Sequence, residues 1–179
     1  NVRFEPQAGR VMGTVTHTFK SLRKAVDSFF LDGPGIQFKE VQLEQKPVSY
    51  RVQPDGIWIK PDNPLDREIS YNLQIAYSAQ PRKGLYFIGW DEQDSGSRQQ
   101  IWTQGQGTDN RHWFPCYDNP TDKLITDVTV TFDSAYQVLS NGQQLQVKTN
   151  SAEGTKTWHY RTAHPHTTYL VMLAIGRYD

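Results

Sequence analysis

Hydrophobic and polar residues alternate along much of this chain with a period of two. In residues 69–77, ISYNLQIAY, the positions Ile69, Tyr71, Leu73, Ile75 and Tyr77 share one side, while Ser70, Asn72 and Gln74 share the other. Successive side chains of an extended strand point to opposite faces, so the pattern predicts a half-buried strand with one wet face. Segments 11–19 (VMGTVTHTF), 38–45 (FKEVQLEQ), 127–132 (DVTVTF), 144–149 (QLQVKT), 155–162 (TKTWHYRT) and 167–176 (TTYLVMLAIG) read the same way and are rich in β-branched and aromatic residues. Turn formers separate them: DGPG at 32–35, PDG at 54–56, PDNP at 61–64, SNG at 140–142 and EGT at 153–155.

Residues 22–30 carry two signals. Leu22, Val26, Phe29 and Phe30 follow a helical spacing, whereas SFFLDGPG ends in a turn suited to joining strands. With strands on both sides, part of the segment is read as strand. The 179 residues fit one domain by the usual size of about 100–200 residues. The pattern predicts a single all-β domain over 1–179, with roughly ten strands packed as a sandwich or a curved multi-sheet body.

Charge changes the picture by exclusion. The 19 basic and 19 acidic residues cancel and are interspersed, so there is no footprint for nucleic acid or an anionic surface. No apolar stretch approaches the length of a membrane span. Cys116 is the sole cysteine, which rules out an internal disulfide and a thiolate metal site. The chain starts NVRFEPQAG without Met and reads as a trimmed piece of something larger.

The stretch 89–123 breaks the alternation. It holds one short apolar island, Ile101 and Trp102, yet is dense in Trp, Phe, Arg and Pro. A long irregular segment of that composition marks a functional loop rather than disorder. Catalytic signatures are absent: the five histidines form no H-E-x-x-H pair, and no G-x-S-x-G, P-loop or G-x-G-x-x-G occurs. His164-Pro165-His166 has no nearby carboxylate to complete a metal site. Cys116 reads as a small buried residue beside Pro115, not a nucleophile.

Within that loop run Thr103-Gln104-x-Gln106, then Arg111, then Phe114-Pro115-Cys116-Tyr117-Asp118-x-Pro120 and Lys123. This order resembles the N-terminal domain of zinc aminopeptidases of the aminopeptidase N type, where T-Q-x-Q/E leads into A-R-x-x-F-P-C-F-D-x-P-x-x-K. Gly84-Leu85-Tyr86, Leu139-Ser140-Asn141-Gly142 and 165–176 (PHTTYLVMLAIG) extend the likeness on both sides. Asn110 stands where the family pattern has Ala, Thr167 where it has Ser, and Gly105 and Gly107 flank Gln106.

The resemblance implies a saddle-shaped, multi-sheet β-sandwich-like module whose catalytic domain would follow residue 179. The H-E-x-x-H helix, a further Glu and one zinc would lie there, leaving this chain no catalytic residue and no metal. Its partners would be that intramolecular catalytic domain and the N-terminus of a peptide. Gln106 would bind the substrate α-amino group, with Gln104 beside it. A neutral amide oxygen suits that task, because it accepts a hydrogen bond from an ammonium without adding a charge. Read from the residues, Arg111 and Asp118 hold the segment in shape through an internal charge pair or bonds to loop carbonyls, while Trp113, Phe114, Pro115 and Pro120 anchor the loop to the core. Trp102 fits either a specificity pocket or sheet packing. An exposed apolar face for the missing domain is expected near 101–116. The alternatives are a non-catalytic relative serving as a scaffold for protein assembly, and a free-standing β-sandwich that binds sugar. Compartment is left open.

Overall fold

In the computed structural model, which describes residues 1–91 and 96–178, the alternating segments form strands, and no α-helix occurs among the described residues. Fifteen strands are present among them: β1 (Val2–Glu5), β2 (Arg10–Lys20), β3 (Phe29–Asp32), β4 (Gln37–Leu43), β5 (Lys46–Pro47), β6 (Ser49–Gln53), β7 (Gly56–Lys60), β8 (Ser70–Ala79), β9 (Gly84–Ile88), β10 (Gln100–Gln104), β11 (Asp127–Asp133), β12 (Gln137–Ser140), β13 (Gln143–Asn150), β14 (Thr155–Arg161) and β15 (Leu173–Gly176). They make an eight-stranded sheet ordered β13-β14-β11-β1-β2-β8-β4-β5, a four-stranded sheet β12-β15-β10-β9, and a three-stranded sheet β3-β7-β6.

The alternation settles which face is inside. Phe4 pairs with Val11, so Phe4 shares a face of the large sheet with Val11, Val15, His17 and Phe19 of β2. Phe4 meets Phe87 of the four-stranded sheet edge-on at 6.2 Å, and Phe19 meets Phe29 of the three-stranded sheet at 5.2 Å. Both small sheets therefore cover one face of the large one. A single apolar cluster fills the space between, including Val11, Leu73, Ile75, Ile57, Ile101, Val130 and Ile175.

The four-stranded sheet sorts its rows sharply. Val138, Ile175, Ile101 and Phe87 lie in cross-strand register on the inner face. One residue along, Leu139, Ala174, Trp102 and Tyr86 form the outer row, where Trp102 stacks on Tyr86 at 4.8 Å.

Two expectations need correction. Ile69 lies outside β8 and is 49% exposed, because the inward series starts at Tyr71. In the segment 22–30 the strand reading holds, as the start of β3, and isolated bridges Ser21–Arg67 and Val26–Leu65 tie down the residues before it. The strand read over 167–176 survives only as β15, and Thr168–Leu170 is a 3-10 turn. The extra strands beyond ten are mostly four or five residues long, too short for a period of two to register.

The inner and outer rows should differ in stability. Ile101 is fully buried and Trp102 is 37% exposed. In urea unfolding of the purified chain, Ile101→Ala should cost about 2–5 kcal/mol. Trp102→Ala should cost no more than about 1.5 kcal/mol, the value of an aromatic pair. Equal losses would contradict the assigned register.

Candidate functional site

The loop leaves the four-stranded sheet at the end of β10. Gly84, which pairs with Gln104, has φ +78°, and a β-carbon there would sit 2.1 Å from the Asp109 carbonyl oxygen. Only glycine combines that backbone with that close approach. From Gly105 the chain crosses the inner face to the three-stranded sheet, where Cys116 and Asp32 pair as an isolated antiparallel bridge. It then turns back into β11.

From Trp113 to Asp118 this crossing is buried except at Tyr117, so its backbone groups there must find partners. Four consecutive carbonyls do so in four ways. Pro115 O accepts from His17 Nε2 at 2.8 Å, and Cys116 O accepts from the Asp32 amide at 2.8 Å. Tyr117 O accepts from Thr168 Oγ1 at 3.3 Å, and Asp118 O from Arg111 Nη2 at 2.8 Å. A carbonyl only accepts, so the His17 proton is on Nε2.

Arg111 is the hub of a charge network. Its Nη1 lies 2.8 Å from Asp32 Oδ1 and its Nε 3.2 Å from Asp118 Oδ2. The Arg111 and Asp118 amides donate to Asp118 Oδ2 and Asp32 Oδ2 at 3.3 and 3.0 Å. The Arg111–Asp118 pair thus stands as the sequence suggests. Asp32 was missed: its place at the head of Gly33-Pro34-Gly35 marks a turn and conceals its second task. Burial pushes the Asp118 carboxyl above its ordinary value, against the pull of the Arg111 hydrogen bonds and charge. Burial, followed by Asp118 and Asp32, raises the Cys116 thiol well above its usual range. Cys116 is therefore held as a buried, neutral thiol.

A second set of side chains explains the lost strand at 167–172. Asn110 Nδ2 donates to Thr168 O at 2.7 Å and Val171 O at 3.0 Å, and its Oδ1 accepts from Trp113 Nε1 at 2.9 Å. Asn141 donates to Leu170 O at 3.0 Å and accepts from the Met172 amide at 2.6 Å. Ser140 Oγ donates to Met172 O at 2.8 Å, and Thr103 Oγ1 accepts from the Leu173 amide at 2.9 Å. The groups a neighbouring strand would have used are taken by side chains.

Gln106 and Gln104 are both exposed on the loop's rim. The Gln106 amide N–H donates to Gln104 Oε1 at 3.3 Å, and the Gln106 side-chain amide has no hydrogen-bond partner among the described residues. Trp113, Phe114 and Pro115 are buried anchors. Pro120 is exposed and sits in a turn closed by Thr121 and Asp122 on Asn119, which corrects its reading as an anchor. Lys123 is exposed. Trp102 faces outward on the sheet rather than into a pocket wall of this chain. Among the described residues, no three His, Cys, Asp or Glu side chains are grouped to hold a metal ion.

Residues 1–170 match the family described as the Peptidase M1 N-terminal domain. The chain belongs to that family. It is 29% identical to mouse aminopeptidase Q over 195 residues, covering 96% of this chain and 34% of that protein. It is 26% identical to leucine aminopeptidase 2 of Vanderwaltozyma polyspora over 184 residues, covering 98% and 27%. It therefore spans about a third or less of these two relatives. The solved structure of a mutant M1 zinc metallopeptidase from Deinococcus radiodurans, bound to a Tyr-Ser-Ala substrate, superposes with a TM-score of 0.82 at 20% identity. That match covers 98% of this chain and 40% of the other, and it shows the shared fold.

In this M1 N-terminal domain, His17 links the loop to acid stability. Burial lowers its pKa, against the opposing effects of the Pro115 hydrogen bond and Asp122. The unfolded chain, with an imidazole near the ordinary value of about 6.5, then binds more protons than the folded one as pH falls. His17's contribution is complete above about pH 6.5 and is lost progressively below it. Thermal unfolding between pH 7.5 and 5.0 should show Tm falling with acid, and less steeply in His17→Gln. Identical slopes would contradict the assignment.

Proposed function

We propose that this chain is the substrate-side domain of a zinc aminopeptidase that removes N-terminal residues from peptides. In this reading Gln106 accepts a hydrogen bond from the substrate's α-ammonium. The observation that carries it is the exposed Gln106 side-chain amide, without a hydrogen-bond partner among the described residues, on the rim of a loop whose 110–118 backbone is tied down. Its Oε1 is an acceptor with no charge of its own, and a fixed backbone limits the entropy lost on binding. Gln104 supports it by holding the Gln106 amide N–H. The aminopeptidase names of the relatives agree with this reading.

Zinc belongs, in this reading, to a catalytic domain elsewhere in the same polypeptide. This chain's part is to bind and orient. The outer row Leu139–Ala174–Trp102–Tyr86, with exposed Leu170 and Met172, supports docking of that domain beside the loop, since such patches mark interaction surfaces. Gln106 is exposed in this chain, and docking of that domain would cover it.

In the full-length protein, Gln106→Ala should lower kcat/KM on free-amine peptides roughly 10–150-fold, the equivalent of about 1.5–3 kcal/mol for a hydrogen bond to a charged group. Metal content and Tm should be unchanged. Unaltered catalytic efficiency would remove Gln106 from the site.

A further inference from the structure

We propose that Asn110 is a positioning residue for Gln106, acting through Gly105; the inference rests on the role of Gln106 given above. A β-carbon built on Gly105 would lie 2.4 Å from Asn110 Nδ2 and 2.5 Å from its Cγ and Oδ1. The Asn110 side chain therefore occupies the volume that a side chain at residue 105 would need. Asn110 is fully buried, and its amide spends both Nδ2 hydrogens and Oδ1 on Thr168, Val171 and Trp113. Its own carbonyl accepts from the Trp113 and Phe114 amides at 3.1 and 3.4 Å.

The two sides of this contact are unequal. Turning the Asn110 amide would break three buried hydrogen bonds, whereas the rim at Gln106 is exposed. Any bulk added at residue 105 must therefore displace the backbone that presents Gln106. The wedge also ties the rim to the turn leading into β15, because the carbonyls it holds belong to Thr168 and Val171. The motif pattern that this loop resembles has Ala at position 110. Here a larger residue at 110 is matched by the absence of a side chain at 105, a reciprocal exchange of volume.

The test is a double-mutant cycle in the full-length protein, with a panel of aminoacyl p-nitroanilides as substrates and Gln106→Ala measured in parallel. Gly105→Ala should lower kcat/KM at least about tenfold, mainly through KM, because the binding group is displaced while the chemistry is untouched. In Gly105→Ala/Asn110→Ala the added methyl has room. The double variant should therefore fall within about threefold of Asn110→Ala alone, a strong positive coupling. Additive losses, or no effect of Gly105→Ala, would overturn the inference while a large Gln106→Ala effect left the proposed function standing. A silent Gln106→Ala would overturn both. Should Gly105→Ala fail to fold, Asn110→Ala decides: raised KM with kcat retained supports the wedge, and unchanged KM contradicts it.

Discussion

A buried stretch of chain that meets a strand only at one isolated bridge must still satisfy every amide and carbonyl it carries, and this domain depends on how that is done. The crossing from β10 to β11 runs from the four-stranded sheet to the three-stranded one, with its Trp113–Cys116 part buried. Along the crossing, side chains of His17, Asp32, Arg111 and Thr168 stand in for the missing ladder, and those of Thr103, Asn110, Ser140 and Asn141 do the same for 168–173. Each net hydrogen bond contributes only about 0.5–1.5 kcal/mol, but leaving its partner unmade costs more. The network thus selects one path for the loop more strongly than it stabilises the fold.

The Arg111 cluster follows the same logic. Two carboxylates share one guanidinium in a partly buried setting, and desolvation outweighs the stabilising contacts at Asp118. Ion pairs of this kind are weak contributors to stability, and their use lies in geometry. A planar fork contacting two side chains and a carbonyl sets the angle at which the loop returns from the three-stranded sheet. Apolar packing does the rest, with Trp113 and Phe114 in edge contact at 4.6 Å beneath the rim.

How much of this was legible follows from what each signal reports. Alternation found β2, β8, β11 and β14, because one face of each meets the core. It missed β5, β9 and β10 as strands in their own right, since strands of two to five residues hold too few turns of the pattern. It also misread 167–172, where Thr, Tyr, Leu and Val suit a strand, but the partners of the backbone are Asn110 and Asn141, about 60 and 30 residues away. The Arg111–Asp118 pair was visible as opposite charges seven residues apart, whereas Asp32 was hidden behind its turn. Nothing in residue pattern alone singles out Gln106 from other exposed glutamines. Its proposed role comes from the ordered motif around it, and the structure adds its exposure on the rim above the hydrogen-bonded 110–118 segment.

A loop fixed in this way behaves as part of the core while leaving the Gln106 side chain exposed. Hydrogen exchange resolved by residue tests that most directly. The amides of Trp113, Cys116, Asp118, Met172 and Leu173 donate to Asn110 O, Asp32 O, Asp32 Oδ2, Asn141 Oδ1 and Thr103 Oγ1. They should exchange as slowly as the central amides of β2 and β8, opening only with the whole domain. Exchange as fast as in the exposed turn at 151–154 would show that the loop is not held, and the account built on its fixed path would fail.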